Sequence, residues 1–154
     1  MHTHSRAPNH RGGFSLAELL IVLVIIGIAI SMAVPRLQGA LHESALQGSL
    51  NRMASDLTLT RLRAVRGATR ASLTINSAGT GYTVVVDPTG TPETVKTVSF
   101  VSDAKGLVLS PASSSVTFDS RGLLVSGTTT IRATRQGRAD SLTISGVGRV
   151  YRGY

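Results

Sequence analysis

The stretch RGGFSLAELLIVLVIIGIAISMAVP, residues 11–35, decides how the chain is built. Residues 14–34 are apolar except for Ser15, Glu18 and Ser31. A helix of this length spans about 30 Å, which matches the hydrocarbon core of a bilayer. The stretch therefore predicts a membrane-spanning helix with a carboxylate near its start. Inserting such a carboxylate into a membrane costs about 3 kcal/mol of free energy at mid-membrane and less near the edge.

The composition limits what else the chain contains. Its 154 residues leave room for one domain beside the membrane segment. Cysteine is absent, which excludes disulfides and thiolate metal sites. The net charge of +8 favours anionic partners such as phosphate backbones or lipid head groups, or else keeps a small β-rich domain soluble.

Two kinds of N-terminal processing fit the apolar stretch. A secretory signal peptide would end at a small-residue site, for which residues 29–31 are the candidate. Alternatively, the stretch resembles the leader and first helix of type IV pilins and type II secretion pseudopilins. The resemblance rests on a basic residue followed by Gly13, Phe14, Glu18 and Pro35. This resemblance implies that a prepilin peptidase cuts after Gly13 and that Phe14 is then N-methylated. It also implies that Pro35 kinks the helix.

The same resemblance gives Glu18 a role. Cleavage after Gly13 creates a positive amine on Phe14, and the family resemblance implies that Glu18 of one subunit meets that amine on a neighbour during assembly. The alternative is a glutamate that snorkels to the lipid head groups.

Residues 36–68 keep a helical period, so the helix is expected to continue beyond the membrane. One apolar stripe predicts the face that lies on a sheet: Leu46, Leu50, Met53, Leu57, Ala64 and Ala68. The opposite face is basic, with Asp56 nearby: Arg52, Arg63, Arg66 and Arg70. Leu59 and Leu62 lie on or beside the basic face and are interpreted as contacts to neighbouring subunits. Gly67 marks the predicted helix end.

After the helix, short alternating segments predict an antiparallel sheet in two small layers. They are RASLTIN (70–76), GYTVVVD (81–87), TVKTVSFV (94–101), GLVLS (106–110), SVTFDSRGLLVSG (115–127), TTIRATR (129–135) and DSLTISG (140–146). The prediction is thus an α+β, pilin-like fold. It has a cleaved leader at 1–13, a long helix at 14–68 with its transmembrane half at 14–34, and a β-rich domain at 69–154.

The last third of the chain narrows the resemblance to the GspH/FimT family of minor pilins and pseudopilins. The C-terminal pattern of that family is a Phe, a turn with Gly, a strand, a hairpin strand and a terminal Gly-Arg. This chain resembles it, with the features falling in that order at Phe118, Gly122, residues 130–134, residues 142–145 and Gly148-Arg149.

Catalysis is not expected from this sequence. His2, His4 and His10 lie in the leader, so that only His42 would remain for a triad or a metal site. The loop carboxylates occur singly, without the paired spacing of acid–base work: Asp87, Glu93, Asp103, Asp119 and Asp140. We therefore predict no enzyme activity, no cofactor and no metal.

The predicted function is that of a minor pilin or pseudopilin that primes or caps a type IV pilus or a type II secretion pseudopilus. Expected partners are other minor and major pilins, the prepilin peptidase and the inner-membrane assembly platform. The expected location is the bacterial inner membrane, crossed once, with the C-terminal domain in the periplasm.

The alternative is a FimT-like minor pilin that binds DNA during natural transformation. Its candidate DNA-binding residues are Arg132, Arg135, Arg138, Arg149 and Arg152. The family's DNA-binding signature is Gly-Arg-x-Arg, whereas this chain has Arg149 and Arg152 three residues apart, which would place them on opposite faces of a regular strand.

Overall fold

A computed structural model of the protein describes residues 15–87, 90–111 and 114–153. The elements follow in the order α1 Leu16–Arg66, β1 Arg70–Ile75, β2 Gly81–Asp87, β3 Glu93–Ser99, α2 Phe100–Asp103, β4 Leu107–Ser110, β5 Ser115–Phe118, β6 Thr129–Arg135, β7 Arg138–Ile144 and β8 Val150–Gly153. The predicted cleavage site at Gly13 and Phe14 lies outside the described residues.

The strands form two four-stranded antiparallel sheets, which confirms the predicted α+β class. One sheet has the order β3-β2-β1-β5 and the other the order β4-β6-β7-β8. The predicted strand at 94–101 is shorter than expected, since it ends at Ser99. There the Ser99 side chain accepts a hydrogen bond from the Val101 backbone N–H and caps the short helix α2.

The chain divides into two compact units, residues 1–39 and 40–154, and α1 contributes to both. In the second unit α1 buries one apolar face in a single core with inward-facing side chains of both sheets. The buried helix residues include five that the periodicity predicts: Leu46, Leu50, Met53, Leu57 and Ala64. The helix residues that enter the core of this unit are therefore largely those of the apolar stripe predicted from the sequence.

Ala68 does not belong to that stripe, because the helix has already ended. The Ala68 N–H donates to the Val65 carbonyl at 3.3 Å, and the Thr69 N–H reaches back to the Ala64 carbonyl at 3.1 Å. This is the Schellman pattern, in which the residue after the helix adopts a left-handed conformation that favours glycine. Ala68 holds that conformation with a φ of 49°, and its side chain is exposed.

We expect Ala68→Gly to stabilise the protein by about 0.5–1 kcal/mol, because glycine adopts positive φ without the steric strain of a Cβ. Chemical denaturation of both proteins measures the difference. An unchanged or lower free energy of unfolding would show that Ala68 is not strained.

Asp56 is buried in the core, although its helical position predicts a place near the basic face. Its Oδ2 accepts a hydrogen bond from the Tyr82 hydroxyl at 2.6 Å, and its Oδ1 accepts one from Lys96 Nζ at 2.6 Å. These donors come from β2 and β3, so the carboxylate ties α1 to one sheet. A buried carboxylate is tolerated when it is paired and hydrogen-bonded in this way.

Tyr82 makes the stability of the protein sensitive to high pH. Burial, together with the hydrogen bond to Asp56, raises the pKa of Tyr82 well above its usual value. As pH rises, the unfolded chain therefore loses the Tyr82 proton before the folded chain does. The free energy of unfolding keeps the full contribution of Tyr82 below pH ~10. Above that pH it falls by at most about 1.4 kcal/mol per pH unit. In Tyr82→Phe we expect this part of the decline to vanish.

Denaturation curves between neutral pH and pH ~11 measure the effect. Tyr151→Phe, which alters an exposed ring on β8, is the matched control and should keep the wild-type pH dependence. An equal decline in Tyr82→Phe would contradict the assignment.

Candidate membrane anchor and filament-assembly site

The first unit consists, in its described part, of the start of α1 and carries the candidate membrane anchor. Helix α1 contains a long apolar stretch near its start, and none of that stretch is buried in the structure. By length and composition this helix is able to cross a membrane. The side chains of residues 15–38 are all exposed, so within the described chain they have no packing partner.

Glu18 lies in the first turn of this helix and is exposed. It is the only charged residue between Leu16 and Pro35. A carboxylate in the first turn interacts favourably with the positive end of the helix dipole, although this effect is typically below about 1 kcal/mol. The helix end therefore offsets only part of the cost of placing Glu18 in a membrane.

Helix α1 continues through Pro35. Proline has no backbone N–H, so the carbonyl of Ser31 loses its usual helical donor. One turn earlier, the Ser31 hydroxyl donates to the Ile28 carbonyl at 2.8 Å, a bond that commonly accompanies helix bending. The kink at Pro35 stays a prediction, and the local bonding favours it.

In the second unit, the Gly-containing turns of the C-terminal pattern meet at one arginine of α1. The Arg61 Nε donates to the Gly122 carbonyl at 2.9 Å. A Cβ on Gly148 would lie 2.6 Å from that same carbonyl oxygen and 2.7 Å from the Arg61 Nε. Both glycines have positive φ, 76° and 75°. Their positions therefore require glycine, and they allow the two turns to close around Arg61.

The turn before Gly122 is organised by Asp119. Its Oδ1 accepts hydrogen bonds from the Arg121 and Leu123 N–H groups, both at 2.9 Å, and its Oδ2 accepts from the Arg121 side chain. The hydrogen bond from the Leu123 backbone, together with those from Arg121, holds the pKa of Asp119 below its usual value. Asp119 is therefore a turn-forming residue.

Three of the five candidate DNA-binding arginines are bound to other parts of the domain. Arg152 donates to Asp140 Oδ2 through Nε at 2.9 Å and Nη2 at 2.7 Å, and reaches Asn51 at 3.4 Å. Arg135 donates to the backbone carbonyls of Lys105 at 3.1 Å and His42 at 3.2 Å.

Arg138 completes this set by pairing with Glu43 on α1. A hydrogen bond from Gln47, followed by that of Arg138, lowers the pKa of Glu43 below its usual value. Arg132 and Arg149 are exposed. Because Arg135, Arg138 and Arg152 link the second sheet to α1 and to the loop before β4, the five arginines do not form one free basic surface. The DNA-binding alternative is not supported.

The structure brings together no group of three or more His, Cys, Asp or Glu side chains that could hold a metal within residues 15–87, 90–111 and 114–153. Sequence reasoning missed the role of Arg61, which contacts loops about 60 and 85 residues further along the chain. It also read Arg135, Arg138 and Arg152 as free charges. The one sequence signal that could have indicated a close contact at these turns is the presence of Gly122 and Gly148.

Comparison with known proteins gives two family matches. The model of the type II transport protein GspH matches residues 49–148, more than half of the chain. The model of the prokaryotic N-terminal methylation motif matches residues 8–34. No curated protein gives a significant match.

Two solved structures are similar to this chain, both of the type IV minor pilin FimU of Pseudomonas aeruginosa strain PAO1. The crystal form in space group P21 has 21% sequence identity and a TM-score of 0.59, covering 73% of this chain and 90% of that chain. The form in space group P65 has 22% identity and a TM-score of 0.57, covering 71% and 93%. At this identity the likeness shows the fold.

Proposed function

Because the chain belongs to the GspH family of type II transport proteins and carries the N-terminal methylation motif, we propose that it primes or caps a filament as a minor pilin or pseudopilin. The observation that carries this proposal is the unpartnered apolar start of α1, with one carboxylate in its first turn. A helix of this kind is costly to leave alone in a membrane and is stabilised by packing against similar helices.

The proposed maturation begins with cleavage after Gly13 by a prepilin peptidase, followed by methylation of the Phe14 amine. The charged amine on Phe14 then pairs with Glu18 of a neighbouring subunit. A carboxylate that is unfavourable in the separate subunit becomes part of an ion pair in the filament, where the low dielectric strengthens the attraction. This pairing would fix the axial register of the subunits.

The helix is proposed to cross the inner membrane once, with residues 40–154 in the periplasm. The assembly platform in that membrane would then move the subunit into a filament with other pilins. The family model is named for type II transport and the similar solved structures for the type IV pilus, and the proposal applies to either machine.

The proposed cleavage is tested by Gly13→Ala. We expect the full-length precursor to accumulate in the membrane, because the peptidase would no longer find a glycine before Phe14. An immunoblot of the membrane fraction measures the shift between precursor and mature protein. Gly12→Ala, which changes the neighbouring glycine, is the matched control and should mature. Normal maturation of Gly13→Ala would instead favour a signal-peptide cleavage near residues 29–31.

A further inference from the structure

Four aliphatic side chains are exposed at the C-terminal end of α1 and on the two turns that close around Arg61. They are 44%, 46%, 36% and 56% exposed and form what we call the aliphatic patch: Leu62, Val65, Leu123 and Val147. Exposed aliphatic residues are ordinary when they occur singly, whereas a contiguous group marks an interaction surface.

The contacts of the neighbouring glycines show that the segments carrying these side chains lie next to one another. A Cβ on Gly122 would lie 2.9 Å from Val65 Cγ2, so the residue before Leu123 touches the helix. A Cβ on Gly148, the residue after Val147, would lie 2.6 Å from the Gly122 carbonyl. Leu62 is one helical turn before Val65. The patch is therefore drawn from three adjoining segments of the domain.

The two turns are also tied to each other by the backbone. The Leu124 N–H donates to the Gly146 carbonyl at 2.9 Å, and the Asp119 N–H donates to the Leu123 carbonyl at 2.9 Å. Leu124 itself is buried in the core. The patch is thus held in place by the fold before any partner arrives, which reduces the entropy lost on binding.

Two exposed basic residues flank the patch in sequence. Arg149 follows Gly148, and Arg66 follows Val65 on α1. Asp119 and Arg121 on the Gly122 turn pair with each other, so that this turn adds no net charge beside the patch. The surface therefore suits a partner that is aliphatic and carries a negative charge.

We propose that the aliphatic patch is the docking surface for the apolar N-terminal helix of another pilin subunit, an inference that rests on the function proposed above. The start of α1 shows the chemistry of such a helix: its aliphatic side chains are exposed in the described chain, and its one charged side chain, Glu18, is negative. A carboxylate has two oxygens, so Glu18 can accept from an arginine of the rim and from an N-terminal amine together.

A glycine of the apolar helix supports this occupant. Gly27 has no atom within 4 Å of the position that a Cβ would take, so nothing in the described chain requires glycine there. A glycine inside a helix is unfavourable by about 1 kcal/mol relative to alanine. It does, however, let another surface approach the helix backbone closely, as small residues do between membrane helices.

Photo-crosslinking of the full-length protein in cells that assemble filaments tests the docking surface. The crosslinking residue p-benzoylphenylalanine is placed at Val147, and at Val101 on α2 as a control that is slightly more exposed. We expect Val147 to give a product whose crosslinked peptide maps to the N-terminal helix of a pilin subunit. A product that maps to a globular domain, a lipid adduct, or no product at Val147 would overturn the proposal.

A second measurement uses the double variant Val65→Ser and Val147→Ser, with Val101→Ser as the control. Its recovery in sheared filaments should fall by about tenfold or more, because two buried aliphatic contacts are replaced by polar groups. Unchanged recovery would overturn the docking surface. If even the wild type is absent from filaments, the function proposed above has failed; if the wild type is present and Val147 gives no helix product, only this inference has failed.

Discussion

Glu18→Ala is expected to remove the protein from sheared filaments while leaving its processing and membrane insertion intact. The variant no longer has a carboxylate to meet the Phe14 amine of a neighbour. Removing one partner of a buried charge pair costs about 2–5 kcal/mol, because the other charge is left unpaired, and this corresponds to a loss of about 30-fold or more in incorporation. An immunoblot of the sheared fraction, normalised to the mature protein in the membrane, measures this loss.

Glu18→Gln separates charge from shape in this experiment. The amide keeps the size of the side chain and one hydrogen-bonding oxygen, but it does not form an ion pair. We expect Glu18→Gln to be lost from filaments almost as completely as Glu18→Ala. If both variants were incorporated like the wild type, Glu18 would only reach the lipid head groups, and its proposed role in assembly would be wrong.

Gly148→Ala is expected to destabilise the domain by about 2–5 kcal/mol. About 1–2 kcal/mol comes from placing a Cβ in a left-handed conformation, since Gly148 has a φ of 75°. A further 1–3 kcal/mol, roughly, comes from overpacking, because the Cβ would lie 2.6 Å from the Gly122 carbonyl oxygen, a backbone atom with little room to move. Denaturation with urea or guanidinium measures the loss.

Two other glycines serve as matched controls. Gly137 has a similar φ of 77°, but no atom lies within 4 Å of its Cβ position, so Gly137→Ala isolates the conformational part. Gly146 has neither a positive φ nor a close neighbour, and Gly146→Ala should be nearly neutral. If Gly148→Ala were no more destabilising than Gly137→Ala, the close packing around Arg61 would not contribute to stability.

The sequence predicted the features that depend on local periodicity. The five buried apolar residues from Leu46 to Ala64 recur at helical spacing, and the strands alternate between buried and more exposed side chains. The prediction was wrong for Ala68, because the helix ends two residues earlier in a hydrogen-bonding pattern that usually employs glycine.

The roles that depend on distant partners were not predictable in this way. Asp56 is buried because Tyr82 and Lys96, on two later strands, supply donors to both of its oxygens. Arg152 is held by Asp140 across neighbouring strands, a pairing that requires the register of the sheet. The motif around Gly13 and Glu18 is different, since its meaning comes from family resemblance and the match of residues 8–34 to the methylation motif.

The central claim, that the chain is matured as a pilin subunit, is tested most directly by the mass of its N-terminal peptide. The protein is recovered from sheared filaments and from the membrane, digested and analysed by mass spectrometry. We predict an N-terminal peptide that begins at Phe14 and carries one methyl group on its amine. A peptide that begins at Met1, or one that begins after Ser31, would contradict this maturation.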